Sequence, residues 1–163
     1  MAVAEILRQV AEYTPRYVTV TGGEPLAQKK CLALLEALCD EGYAVSLETS
    51  GALDIGEVDK RVVRVIDIKT PASGEDKKNH WENLELLAPH DEIKFVLCDE
   101  NDYRWARQIM GQYHLVEKCA VLFSPAHGTL NPTQLAEWVL RDRLPVRMLL
   151  QQHKILWDNA PGH

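Results

Sequence analysis

The chain has 163 residues, of which 46% are hydrophobic and 26% charged, as in an ordinary globular domain. Its net charge of −6 argues against a nucleic-acid partner, because nucleic-acid binding needs a basic surface. The sequence contains no apolar run of about 18 residues, so we predict no membrane span. The N-terminus shows no basic segment followed by an apolar one, as a signal peptide would have, so we expect a cytoplasmic protein.

The first part of the chain alternates helices with strands. Apolar residues recur at helical spacing over 2–13 and 26–41, and Gly42 ends the second of these helices. A weak, short helix and a polar loop flank the third strand. The predicted strands are 16–21, 43–48 and 61–67.

The second part continues the same alternation. Asp99 is a credible N-cap, and Pro132 lies in the first turn of a helix, where proline is favoured. The predicted helices are 81–87, 99–113 and 131–143. The predicted strands are 91–98, 118–123 and 146–151. Strand–helix repeats predict an α/β fold with a parallel sheet, and several continuous apolar strands indicate a sheet covered by helices, within one domain over 1–163.

Polar side chains gather where the predicted strands end. Because the carboxyl ends of parallel strands meet at one edge of a sheet, and ligands bind there, these clusters together predict a site. Any one of them alone is typical of an ordinary polar turn. The clusters are 21–25, 48–51, 67–71, 124–125 and 152–154.

The stretch "TGGEPL", residues 21–26, follows the first predicted strand. Glycine lacks a Cβ, so the backbone can adopt positive φ and approach a ligand closely. A cationic amine or sulfonium suits the Glu24 carboxylate and neighbouring carbonyls, whereas a carboxylate suits the free N–H groups. The pattern therefore indicates a ligand loop.

"GGEP" resembles the motif of the radical S-adenosylmethionine (SAM) superfamily that contacts the SAM amino group. "ETSG" (48–51), "DIKTP" (67–71), "IKFVL" (93–97), "SP" (124–125) and "LQQHKILW" (150–157) follow in the order and spacing of the 7-carboxy-7-deazaguanine synthase family. "GGEP" alone indicates only the superfamily. Its combination with "ETSG" and "Q-x-H-K" points to this family, over nearly the whole chain.

The resemblance implies an enzyme that converts 6-carboxy-5,6,7,8-tetrahydropterin to 7-carboxy-7-deazaguanine with loss of ammonia, in the route to queuosine and other 7-deazapurines. It implies SAM, a [4Fe–4S] cluster and Mg²⁺ as cofactors, a pterin as the small-molecule substrate, and a homodimer. Thr21 and His153 resemble substrate-binding residues. The residues that resemble SAM contacts are Gly23, Glu24, Thr49, Ser50, Asp67, Ile68, Lys69, Ser124 and Pro125.

The cysteines depart from the family pattern. The family's three cluster cysteines precede "GGEP", together with a threonine for magnesium, whereas no cysteine here precedes Cys31. The chain also opens on a helix rather than a strand. We therefore expect an incomplete radical SAM-type (β/α) barrel that lacks the first βα unit, with cluster and Mg²⁺ ligands outside this chain, and no turnover by the chain alone. The four cysteines, 31, 39, 98 and 119, are expected to be buried or half-buried hydrophobes.

Other interpretations stay open. The chain fits another radical SAM enzyme, such as a glycyl-radical activase, although such an enzyme has no reason to share "QQHKILW". A binding module that keeps a SAM or pterin pocket without catalysis, or an inactive folded remnant, also fits. Asp67 and Lys69 are alternatively a surface pair, and His153 a tail residue that packs with Trp157.

Overall fold

A computed structural model describes residues 1–156, except the side chain of His153. Its six strands form one sheet in the order β1-β2-β3-β4-β5-β6, and each strand runs parallel to its neighbours. The strands are β1 (Tyr17–Val20), β2 (Ala44–Thr49), β3 (Val63–Ile68), β4 (Glu92–Leu97), β5 (Ala120–Pro125) and β6 (Arg147–Met148). This strand order confirms the predicted parallel α/β fold.

Within residues 1–156, six α-helices and several short 3₁₀ turns precede, connect or follow the strands. The helices are α1 (Val3–Glu12), α2 (Cys31–Asp40), α3 (Glu100–Gln112), α4 (Leu115–Lys118), α5 (Pro132–Arg141) and α6 (Gln152–Leu156). Asp99 caps α3 by accepting from the Asp102 amide at 2.9 Å, which confirms the predicted N-cap. The Asn131 side chain caps α5, ahead of Pro132 in the first turn.

Four predicted elements differ in the structure. The helix predicted over 26–41 is a 3₁₀ turn, Pro25–Ala27, followed by α2 from Cys31. The helix predicted over 81–87 is a 3₁₀ turn, Trp81–Glu85. The weak helix before β3 is a series of turns, and the strand predicted over 146–151 pairs with β5 only at Arg147–Met148.

Helices cover the sheet, as its apolar strands predicted, but on one face. Side chains along β3 and β4 alternate between buried and half-buried positions. The buried set, such as Ile66 and Phe95, packs in one core with Leu35 of α2 and Leu135 of α5. We call the other side of the sheet the open face. In a (β/α) barrel the helices lie outside and this second face turns inward.

The base of the sheet is fixed by a buried ion pair between β3 and the residue before β4. Arg64 donates to both Asp91 carboxylate oxygens at 2.5–3.1 Å, and the amides of Arg64 and Ala88 also donate to Asp91. Asp91 is fully buried and Arg64 nearly so. No helix described within residues 1–156 is long and apolar enough to cross a membrane.

Candidate functional site

The carboxyl ends of β1 and β2 form the first part of the site. Gly22 and Gly23 follow β1 with φ of 103° and 56°, and a Cβ built on either glycine would meet no atom within 4 Å. These positive φ angles are why two glycines stand here, since L side chains avoid this region. The open space beside both residues leaves the backbone accessible to a ligand.

Glu24 joins this glycine loop to the end of β2. Its Oε1 accepts from the Leu26 amide at 3.1 Å and from Thr49 Oγ1 at 2.8 Å. Its Oε2 accepts from the Ser50 amide at 2.8 Å and from Ser50 Oγ at 2.5 Å. We call this set of hydrogen bonds the Glu24 clasp. The structure thus brings three of the predicted site residues, Glu24, Thr49 and Ser50, into direct contact.

The clasp also sets the protonation of the carboxylate. Partial burial raises the pKa of Glu24, but the hydrogen bonds from Ser50, Thr49 and Leu26 together outweigh burial and bring the pKa below its usual value of 4.5. Glu24 is therefore anionic at neutral pH, and its negative charge lies next to the glycine loop.

Asp67, Ile68 and Lys69 end β3 beside this region. Lys69 Nζ lies 2.9 Å from Asp67 Oδ2, so the two residues form an ion pair that is only partly exposed. Asp67 Oδ1 is buried and accepts no hydrogen bond from the residues described, which leaves it available to a donor. Ile68 is only 3% exposed, and its side chain packs in the core.

Asn79 fixes the backbone at Lys69, a role the sequence analysis did not identify. Its Oδ1 accepts from the Lys69 amide at 2.9 Å, and its Nδ2 donates to the Lys69 carbonyl at 2.9 Å. The asparagine side chain thus pairs with the backbone as a neighbouring strand would. Asn79 lies in a polar loop, and nothing in the sequence of that loop indicates this contact.

Ser124 and Pro125 end β5 and line two different cavities. Ser124 borders a cavity of about 390 Å³ on the open face, and Pro125 borders one of about 250 Å³. Gln151 lines both, and also a cavity of about 260 Å³ beside Asp67 and Lys69. Gln151 was missed as a site residue because it precedes the polar cluster at 152–154 by one position.

The structure describes the surroundings of only one of the two predicted substrate residues, Thr21. Thr21 is exposed and lines a cavity of about 660 Å³ next to Gly22 and the first residues of α2. The side chain of His153, and the whole of Trp157, lie outside the described residues. The role of His153 therefore stays a prediction.

Glu48 and Lys94 form a further charged pair that the sequence analysis did not select. Lys94 Nζ on β4 lies 3.5 Å from Glu48 Oε2 on β2, so the pair spans the intervening strand β3. Both residues line the 390 Å³ cavity with Ser124. Their separation along the chain hides this contact from any local motif.

Comparison with known proteins decides the family. The chain is 45% identical to the 7-carboxy-7-deazaguanine synthase of Chlorobaculum tepidum over 97% of its own length and 73% of the relative's. It is 43% identical to the synthase of the same name from Koribacter versatilis, covering 96% of this chain and 76% of that protein. The chain belongs to the 7-carboxy-7-deazaguanine synthase family. No general family model matches it.

Solved structures agree with the synthase family in fold. QueE from Escherichia coli superposes with a TM-score of 0.72 at 19% identity, over 93% of this chain and 64% of that one. SuiB of Streptococcus suis bound to S-adenosylmethionine superposes at a TM-score of 0.62 and 11% identity, over 90% of this chain and 40% of that one. These matches confirm the radical SAM-type (β/α) architecture. They assign no role to any individual residue.

The cysteines of this synthase-family chain do not fit a [4Fe–4S] cluster. Cys31 and Cys119 are buried, Cys39 and Cys98 are half-buried, and burial is the main cause that raises the pKa of each thiol. Within residues 1–156, no three His, Cys, Asp or Glu side chains are placed to hold a metal ion. A cluster needs three thiolates grouped around one site, so these residues provide no ligand set for it.

Proposed function

We propose that this chain carries the SAM- and pterin-binding part of a 7-carboxy-7-deazaguanine synthase. The reaction converts 6-carboxy-5,6,7,8-tetrahydropterin to 7-carboxy-7-deazaguanine with loss of ammonia. The observation that carries the proposal is the Glu24 clasp, which places the "GGEP" loop against Thr49 and Ser50 in a chain 45% identical to such a synthase.

Our proposed SAM site lies along the carboxyl ends of β1, β2, β3 and β5. Both carboxylate oxygens of Glu24 accept hydrogen bonds from the protein itself. The contribution of Glu24 is therefore to hold the accessible backbone of Gly23 in place and to supply negative charge near a cationic ligand. Asp67 Oδ1 supplies a free acceptor on the same edge. The proposed SAM residues are Gly23, Glu24, Thr49, Ser50, Asp67, Ile68, Lys69, Ser124 and Pro125.

The radical chemistry of such a synthase belongs to SAM and its cluster, and the protein binds, orients and excludes water. Since the described cysteines do not fit a cluster, we derive no step through it. Thr21 and His153 are proposed to bind the pterin. Mg²⁺, a homodimer and a cytoplasmic location are proposed from the family resemblance alone.

The experiment is calorimetric titration of the 163-residue chain with SAM and, separately, with 6-carboxypterin. We expect both to bind, and Glu24→Gln to weaken SAM binding by about tenfold, because a hydrogen-bonded anion near the cationic ligand is lost. Glu36→Gln, on the exposed side of α2, is the matched control and leaves SAM affinity unchanged. An unchanged dissociation constant in the Glu24 variant would remove this residue from the SAM site.

A second candidate is SAM and pterin binding without radical chemistry, which the dispersed, buried or half-buried cysteines favour. Anaerobic iron–sulfide reconstitution followed by a product assay separates the two candidates. We expect no 7-carboxy-7-deazaguanine from this chain alone. Formation of the product would contradict this expectation and show that the chain holds a working cluster.

A further inference from the structure

Asp102, in the first turn of α3, is a buried carboxylate to which the proposed function gives no role. Only 1% of the residue is exposed. Its Oδ2 accepts from Thr70 Oγ1 at 2.9 Å and from the Cys98 amide at 3.0 Å. Its Oδ1 accepts from the Ala72 amide at 3.1 Å. The three donors come from two different strand ends, so this one carboxylate joins them.

The partners of Asp102 lie where β3 and β4 end. Thr70 directly follows Lys69, the last of three consecutive residues proposed for the SAM site, and Cys98 directly follows β4. Thr70 and Cys98 both line the cavity of about 260 Å³ beside Asp67 and Lys69, whereas Asp102 does not line it. Asp102 can therefore act on a ligand in this cavity only through its partners.

The backbone at Lys69 is held from both directions along the chain. Asn79 pairs with the amide and the carbonyl of Lys69 itself. Thr70, the next residue, directs its hydroxyl to Asp102, with the Val96 carbonyl as a longer alternative acceptor at 3.2 Å. Thr70 is only 1% exposed, so water cannot readily replace these acceptors.

Helix α3 gives the Asp102 carboxylate a rigid support. The helix has 13 residues, and a negative side chain in the first turn of a helix is favoured by the helix dipole. The Asp99 side chain accepts from the Asp102 amide, which fixes the backbone at this residue. The same helix is anchored in the core by four further buried residues, which are Tyr103, Ala106, Ile109 and Met110.

We propose that Asp102 is a positioning residue of the SAM site and that it acts through Thr70. This inference rests on the proposed function. Lys69 and the free acceptor Asp67 Oδ1 can contribute fully to binding only if the chain that carries them is already ordered, because ordering it during binding reduces affinity. The hydrogen bonds of Asp102 supply this order from outside the site.

The test is calorimetric titration of the 163-residue chain and its variants with SAM. Thr70→Val removes the hydroxyl at nearly constant volume, and Thr70→Ser keeps it. Asp102→Asn leaves one acceptor oxygen for three donors, so at least one donor loses its partner. Tyr103→Phe is the matched control, because it removes a buried hydroxyl from the same helix, one that donates to the Trp138 carbonyl at 2.9 Å.

We expect Thr70→Val and Asp102→Asn to weaken SAM binding by about five- to tenfold. Thr70→Ser should stay within about twofold of the unmodified chain. Tyr103→Phe should lower the urea midpoint and yet change SAM affinity by less than about twofold. Without ligand, hydrogen exchange measured by mass spectrometry should be faster over residues 69–73 in Asp102→Asn and unchanged around Ser50.

Three results would overturn this assignment while leaving the proposed function standing. The first is an unchanged SAM dissociation constant in a folded Thr70→Val chain, which decides the matter even if Asp102→Asn does not fold. The second is an equal loss of SAM affinity in Tyr103→Phe, which would show that binding follows overall stability. The third is unchanged exchange over residues 69–73 in a folded Asp102→Asn chain. If the unmodified chain did not bind SAM, the proposed function itself would fail, and this inference with it.

Discussion

Two ion pairs on the same sheet, Arg64–Asp91 and Glu48–Lys94, differ in how fully their hydrogen-bonding capacity is used. Asp91 is fully buried and accepts from the Arg64 guanidinium and from two backbone amides. Glu48 is nearly half exposed, and among the residues described its side chain makes one hydrogen bond, of 3.5 Å to Lys94. The first pair lies at the start of the strands, and the second borders a cavity on the open face.

The difference separates a structural role from a binding role. A buried carboxylate with every lone pair occupied has nothing left to offer a ligand, and its removal leaves a buried charge without a partner. A partly exposed carboxylate with one weak contact contributes little to stability, and it retains acceptors for a ligand. Glu24 lies between these cases. Its carboxylate oxygens already accept hydrogen bonds from the protein, and yet the residue borders the accessible glycine loop.

The largest expected effect comes from breaking the buried pair. Asp91→Asn should lower the free energy of unfolding by about 3–5 kcal/mol, because the Arg64 guanidinium stays buried without its counter-charge. Urea denaturation followed by circular dichroism measures the loss. Glu5→Gln, which removes an exposed partner of Arg8, should change stability by less than about 0.5 kcal/mol. A loss in the Asp91 variant as small as in this control would contradict a structural role for the buried pair.

An intermediate effect is expected from Glu24, and it depends on pH. Glu24→Gln should cost about 1–2 kcal/mol near neutral pH, where the anion accepts all its hydrogen bonds. The folded-state pKa is lower than the usual 4.5, so this stability is fully present above pH 4.5 and is lost as the pH falls through the folded-state pKa. Urea denaturation over a pH series should show the gap between the two proteins closing below pH 4.5. A gap independent of pH would mean that the charge of Glu24 is not what stabilises the clasp.

The smallest effect on stability is expected from the pair in the cavity. Lys94→Met should change the free energy of unfolding by less than about 1 kcal/mol, since its partner is exposed and the contact is long. The same denaturation assay measures it. A loss comparable to that of Asp91→Asn would place Lys94 among the structural residues and remove the contrast between the two pairs.

The sequence predicted the order and type of most elements because hydrophobic periodicity and helix caps are local. Asp99 and Pro132 predicted the starts of α3 and α5 correctly. Asp99 accepts from an amide of its own first turn, and Pro132 has a fixed φ and lacks the N–H that would be unpaired at that position. The helix predicted from residue 26 failed because Pro25 opens a separate 3₁₀ turn, and the chain turns again before Cys31. The sixth strand was predicted too long, because it pairs with β5 over two residues only.

The parts of the site that lie in sequence motifs were predictable, and the contacts between residues far apart in the sequence were not. Glu24, Thr49 and Ser50 lie in motifs that follow β1 or end β2, and adjacent parallel strands bring such positions together. The Glu48–Lys94 contact spans β3, and the Asn79 contact depends on a loop folding back to Lys69. Neither has a periodicity or a motif from which it could be inferred.

The strand order also bears on how the chain folds during synthesis. Each strand pairs with the next one along the chain, as in Tyr17 with Ala44 and Glu92 with Ala120. Among the strands described, none needs a later segment to be inserted beside it before it can pair. The sheet can therefore grow from its first strand to its last as the polypeptide leaves the ribosome, with each new pairing closing only a modest loop.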